Sequence, residues 1–137
     1  MDALLKNGIK VDNDLIIECE HDDESNRKII RNLLTRKNRP QAIFGSVEKL
    51  ILTTYEVCNE LGIKIPQDLK VVGFSNSPMA GLLNPSLTTI TQPAYEIGNK
   101  AASILFELVE KRMLNKLLPE TTTLNAEFII RNSTASI

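Results

Sequence analysis

The sequence has no run of about 18 consecutive apolar residues, the length a helix needs to cross a bilayer, so no membrane span is expected. It has no surplus of positive charge. Sixteen Lys and Arg stand against 17 Asp and Glu, for a net charge of −1. Such a chain has nothing to hold a polyanion, so it should not bind DNA tightly by itself. Cysteine is scarce. Cys19 and Cys58 lie far apart, without CxxC spacing, among apolar neighbours, and read as two reduced core thiols. His21 is the only histidine, and no Cys or second His stands close to it in sequence. A zinc site is therefore not expected. No Gly-x-Ser-x-Gly elbow is present, and Gly73 and Gly81 are isolated where a phosphate loop would cluster its glycines. Neither an enzyme nor a metal or cofactor is expected. The start, Met1-Asp2-Ala3-Leu4-Leu5-Lys6, lacks the pattern of a secretion signal, which leaves the cytoplasm as the expected location. No internal repeat or low-complexity linker breaks the chain.

What is present suits one domain with one core: 137 residues, 42% hydrophobic and 24% charged. Ala3, Leu4 and Leu5 read as the last turn of a helix stopped at Gly8, and nothing caps its start, so the chain is expected to begin inside an element. Leu15-Ile16-Ile17 reads as a strand. Asp22 or Asp23 caps a helix reaching about Lys37, with Ile29, Ile30, Leu33 and Leu34 on one face. Ala42-Ile43-Phe44 is a second strand. Ser46 reads as the N-cap of a helix whose apolar positions run from Leu50 to Leu61 and which Gly62 ends. Leu69 to Phe74 alternates little, as a strand buried on both faces does. Leu87 to Ile90 is extended. Pro93 opens a long helix to about Met113, with Ile97, Ala101, Ile104, Leu105 and Leu108 as its stripe. Leu124 to Ile130 reads as a last strand, and Asn132 to Ser136 as a loose tail. Strands alternating with helices predict an α/β fold: a three-layer parallel sheet flanked by helices.

In open α/β sheets, ligands bind beyond the carboxyl ends of strands. Three such ends are legible: Glu18 to Asp23, Gly45 to Glu48, and Ser75-Asn76-Ser77. Their hydroxyls, amide, imidazole and carboxylates suit hydrogen bonding to a small polyol. The acidic cluster at Glu18 to Asp23 could instead hold Mg²⁺, but that needs a second acidic pair and a lysine at other strand ends, and these are missing. A solvated helix N-terminus accounts for it.

Five blocks then carry a resemblance: Pro40 to Phe44, Glu60 to Phe74, Asn84 to Pro93, Glu96 to Ala102, and Phe128 to Thr134. In order and spacing they resemble the LacI/GalR family of transcription regulators from about Ala3 to Thr134. The resemblance implies that residues 1–137 are the carboxyl-terminal half of an effector-sensing core. That half resembles one lobe of a type I periplasmic-binding-protein-like fold, without the DNA-binding headpiece and most of the first lobe. The helix from Pro93 to Met113 would belong to that first lobe. The implied partner is a small, sugar-like effector, with DNA reached only through the headpiece.

The resemblance also implies positions. The ligand-stacking aromatic falls at His21, which the residues alone leave open as a pocket or an exposed loop residue. An Asn-Asp pair falls at Val47 and Glu48, an aspartate at Ser75 with Asn76 next to it, and a pocket glutamine at Gln92. A homodimer is implied, through Leu52, Glu56 and Asn59 on a helix and Met79, Leu82 and Leu83 on a loop. Leu82 and Leu83 could instead fold back onto their own sheet. A solute-binding protein of a sugar transporter is the alternative function. A small flavodoxin-like enzyme is a third, with no catalytic constellation to support it.

Overall fold

The structure is a computed structural model that describes residues 2–110 and 121–135. Three strands form its parallel centre: β1 (Ala42–Gly45), β2 (Lys70–Phe74) and β3 (Thr88–Ile90). A fourth, β4 (Phe128–Ile129), pairs antiparallel with β3, so the sheet is mixed, in the order β1-β2-β3-β4. The parallel reading holds for three strands; β4 returns from a long excursion and arrives at the edge in the opposite sense. It is also shorter than the span Leu124 to Ile130 expected of it.

Helix α2 (Asp23–Leu34) packs on α3 (Glu48–Leu61), and α3 packs on β1 and β2. Asp22 caps α2, its carboxylate accepting from Ser25 N at 2.8 Å. The helix stops at Leu34, a turn before Lys37. Ile30, Leu33 and Leu34 are buried on its inner face. Across the outer surface Arg27 pairs with Glu56 at 2.9 Å and with Glu60, which Arg31 also meets. These pairs are partly exposed and contribute little, with a typical ceiling of about 1 kcal/mol each. Gly62 ends α3 in the left-handed region at φ 68°, the conformation its lack of a Cβ permits.

The sheet's helix-facing side is closed by one side chain. Ile51, 1% exposed, lies over Gly45 and Gly73, which are partners in the β1–β2 register. A Cβ at Gly45 would stand 2.5 Å from Ile51 Cγ1, and one at Gly73 would collide with Ile51 Cδ1. The two glycines thus form a notch that lets α3 approach the strands. Leu69, Val71, Val57, Cys58 and Leu87 complete this core. The opposite face is open. Phe44 and Phe128 are each 58% exposed, and Val72, Phe74 and Ile90 are half-buried, so β2 is not buried on both faces.

Two sequence expectations fail for the same reason: local side-chain bonds replace sheet bonds. Leu15 to Ile17 is no strand. Asp12 caps a 3-10 turn over Asn13–Leu15, and the buried Asn26 side chain both accepts from Glu20 N and donates to Glu20 O, each at 2.8 Å. The tail is not loose up to Ala135. Asn132–Thr134 forms a 3-10 turn, and Ser133 is fully buried. Its Oγ donates to Val71 O at 2.6 Å and accepts from Thr88 N at 2.8 Å. Arg131 adds Nη1 bonds to Leu87 O at 2.7 Å and Thr89 Oγ1 at 2.9 Å.

Helix α4 (Ala94–Glu110) begins just after Pro93; Met113 lies outside the described residues. None of its described residues is buried. Ile97 and Leu105 are 51% and 56% exposed, so the stripe read from sequence is real but uncovered. The first turn, α1 (Asp2–Lys6), ends before Gly8 at φ 69°, as expected.

Both cysteines are free, with Cys58 buried. Burial pushes the Cys58 thiol from 9.0 up to about 11 and the Tyr55 phenol from 10.0 up to about 12. Folded values above unfolded ones favour the neutral forms. Each group therefore contributes stability that is complete below its unfolded pKa and lost as pH climbs to the folded one. Urea midpoints should fall between about pH 9 and 11, and Cys58→Val should remove roughly 2 kcal/mol of that dependence. A Cys58→Val curve parallel to the wild type through that window would contradict this assignment.

Candidate functional site

The carboxyl ends of β1 and β2 meet the start of α3 in a hollow of about 400 Å³. Ser46, Val47, Glu48, Phe74, Ser75, Asn76, Ser77 and Gln92 line it. Five of the six expected ligand residues thus come together: Val47, Glu48, Ser75, Asn76 and Gln92. His21 is not among the residues that line this hollow; it is exposed in the bend before Asp22. Ser46 is not the cap of α3. Val47 takes the N-cap position and makes no side-chain cap bond, and Ser46 lines the hollow.

The geometry divides these residues by what their polar atoms are already doing. Ser75 is buried, at 5% exposure. Its Oγ donates to Glu48 Oε2 at 3.1 Å and accepts from Ser77 N at 3.0 Å. The hydroxyl therefore relays the β2 end to the first turn of α3. The resemblance places an aspartate at position 75. Here Ser75 carries no carboxylate of its own and instead hydrogen-bonds that of Glu48, which stands where the resemblance implies the aspartate of the Asn-Asp pair.

Asn76 is spent on the backbone. Its Oδ1 accepts from Gln92 N at 2.6 Å, and its Nδ2 donates to Gln92 O. This pair copies one rung of a sheet and staples the β2 end to the crossover before α4. Asn76 is thus a positioning residue, and the Gln92 side chain, exposed, is left for other contacts. A second hollow of about 530 Å³ opens on the other side of this staple. It shares Ser75, Asn76, Ser77 and Gln92 and adds Thr89, Thr91, Glu96, Glu127 and Arg131 among others. Sequence reasoning named Arg131 only as part of a block, because its guanidinium reaches this wall through the buried tail. Ser46 and Ser77 were legible as strand-end residues, and Phe74 as the last residue of its strand.

Among the described residues no group of three or more His, Cys, Asp and Glu side chains is placed to hold a metal ion. None of the described helices is long and apolar enough to cross a membrane.

A hollow at the carboxyl ends of parallel strands, beside a crossover, is where this architecture takes small ligands. The model of the periplasmic binding protein-like domain matches residues 2–134. The chain belongs to that family. Within it the likeness is to LacI-type regulators. The chain is 30% identical over 133 residues to the HTH-type transcriptional repressor PurR of Yersinia pestis (strain Pestoides F), covering 97% of this chain and 38% of that one. It superposes on a LacI-family transcriptional regulator of Sanguibacter keddieii with a TM-score of 0.83 and 26% identity, covering 98% of this chain and 51% of the other. It superposes on the transcriptional regulator CelR in a cellobiose complex with a TM-score of 0.79 and 25% identity, covering 96% and 39%. The chain therefore spans about two fifths to one half of these relatives.

Proposed function

We propose that this chain is the carboxyl-terminal part of an effector-sensing core in a cytoplasmic LacI-type transcription regulator, and that its effector is a small sugar-like molecule. The observation that carries the reading is the hollow at the ends of β1 and β2. Its lining is hydroxyls, amides and one carboxylate on rigid elements, the donor and acceptor set a polyol needs. The cellobiose bound to CelR supports the same class. Control of DNA belongs to a segment outside these 137 residues. The uncovered stripe on α4 fits a core with a second lobe. Ligand would favour one relative placement of the lobes and so shift the population of the DNA-binding form. The regulator relatives favour this reading over a transporter's solute-binding protein, and nothing at the hollow favours an enzyme. Cellobiose at saturating concentration should raise the chain's melting temperature, by mass action on the folded state. A midpoint that does not move, while lobe-independent controls such as osmolyte effects are matched, would count against the reading.

The same reading includes a two-fold pair. Leu52, Met79 and Leu82 are 39%, 54% and 75% exposed, and Asn59, two turns after Leu52 on α3, is exposed as well. Glu56 carries an ion pair to Arg27. Leu83 differs from the rest, because it packs against its own core. Leu83→Asp would thus disturb folding, and Leu82→Asp is the cleaner probe. A Leu moved from water to an interface contributes about 1.5–3 kcal/mol before association costs. A two-fold axis uses it twice. Sedimentation at micromolar concentration should show dimers for the wild type and monomers for Leu82→Asp. A variant that sediments as the wild type does would remove this loop from the interface.

A further inference from the structure

We infer that Glu48 sets the charge selectivity of the hollow: its carboxylate accepts hydroxyl hydrogen bonds from a neutral ligand and turns away phosphorylated or carboxylated ones. The inference rests on the effector-sensing reading and adds to it the class of molecule admitted.

Among the described residues, Glu48 is the only ionisable side chain that lines the hollow. It is half-buried at the first turn of α3. One carboxylate oxygen is fixed by Ser75, whose own hydroxyl is held by Ser77 N. Among the described residues Glu48 makes no ion pair, and its second oxygen has no protein partner, so that oxygen remains an acceptor with two lone pairs. Lys49, the nearest cation in sequence, is turned away and pairs with Asp23 at 2.5 Å. Among the described residues no basic side chain thus lines this hollow to receive a phosphate or carboxylate. Arg131 lines only the neighbouring hollow, and its Nη1 is taken by Leu87 O and Thr89 Oγ1.

A ligand anion within about 4 Å of Glu48 would meet an uncompensated like charge in a partly desolvated cleft, a penalty of about tenfold or more in affinity. A sugar hydroxyl at the same place donates to the carboxylate and gains a charge-assisted bond. Position matters as well as charge. The Glu48 backbone is held because Ile51, one turn on, sits in the Gly45–Gly73 notch.

The test uses glucose and glucose 6-phosphate as probes, titrated into the full chain and into Glu48→Gln, with amide chemical shifts read by NMR. Gln keeps the size and an acceptor for Ser75, so the fold is expected to persist, and the spectrum itself reports it. The wild type should bind glucose at least about tenfold more tightly than glucose 6-phosphate. Glu48→Gln should bring the ratio to about threefold or less, mainly by admitting the phosphate. Equal or tighter binding of glucose 6-phosphate by the wild type overturns the inference, as does a ratio that Glu48→Gln leaves unchanged. Both outcomes leave the effector-sensing reading standing, because ligand is still bound. Shifts that stay put for both sugars, in both proteins, overturn that reading and the inference with it.

Discussion

Ile51→Ala should lower folding stability by about 2–5 kcal/mol, the range for emptying a fully buried aliphatic site. Ile51 is 1% exposed and is the side chain that seats α3 on the sheet. Its neighbours cannot collapse into the space easily, because two of them are backbone glycines in paired strands. The notch itself can be tested from the other side. Gly73→Ala puts a methyl into Ile51 Cδ1 and within 3.1 Å of Leu87 Cδ2, so overpacking should cost about 1–3 kcal/mol. The two changes relieve one another. The double variant should be less destabilised than the sum of the singles, with a coupling of about 0.5–3 kcal/mol from denaturant midpoints. Strict additivity would mean that Ile51 does not fill the notch. Because Glu48 lies one turn before Ile51, Gly73→Ala should also weaken sugar binding although residue 73 faces away from the hollow.

The buried tail should show an effect of similar size. Ser133→Ala removes the acceptor for Thr88 N and the donor to Val71 O at a fully buried point. A buried backbone group left without a partner costs about 1–3 kcal/mol, so two of them predict a loss of about 2–6 kcal/mol. Ser133→Cys, with a weaker donor and a larger atom, should recover little of it. Ser103→Ala, at an exposed helix position, is the matched control and should be nearly silent. Equilibrium unfolding that gave Ser133→Ala a loss below about 0.5 kcal/mol would show that the tail does not tie β2 to β3.

The parts of this fold that the sequence announced are those governed by burial. Ile30, Leu33 and Leu34, and then Ile51, Thr54, Val57 and Cys58, recur at helical spacing because one face of each helix meets the core. Val71 and Leu87 read as strands for the same reason. The misreadings lie where a polar side chain does the work of a backbone partner. Asn26 takes both backbone bonds of Glu20, and Ser133 takes one each from two strands; neither leaves a periodic trace. Ser46 lost the cap to Val47, and a propensity argument could not see this. At the site, the strand ends holding Val47, Glu48, Ser75 and Asn76 were legible, whereas Gln92 was implied only by the resemblance; these five converge on the hollow. What each does was not legible. Asn76 lines the hollow as expected of a ligand residue, but its amide also binds the Gln92 backbone, and Ser75, where the resemblance implies an aspartate, hydrogen-bonds the Glu48 carboxylate. His21 does not line the hollow, and the strand expected at Leu15 to Ile17, after which it was placed, does not form.

The most direct test of the account is a map of amide shifts in the full chain during a cellobiose titration. The account predicts the largest changes at Ser46 to Glu48, Ser75 to Ser77 and Gln92, with Phe74 beside them. Changes confined to Arg39, Gln41, Asp68 and Lys70, which line the hollow at the opposite ends of β1 and β2, would contradict it.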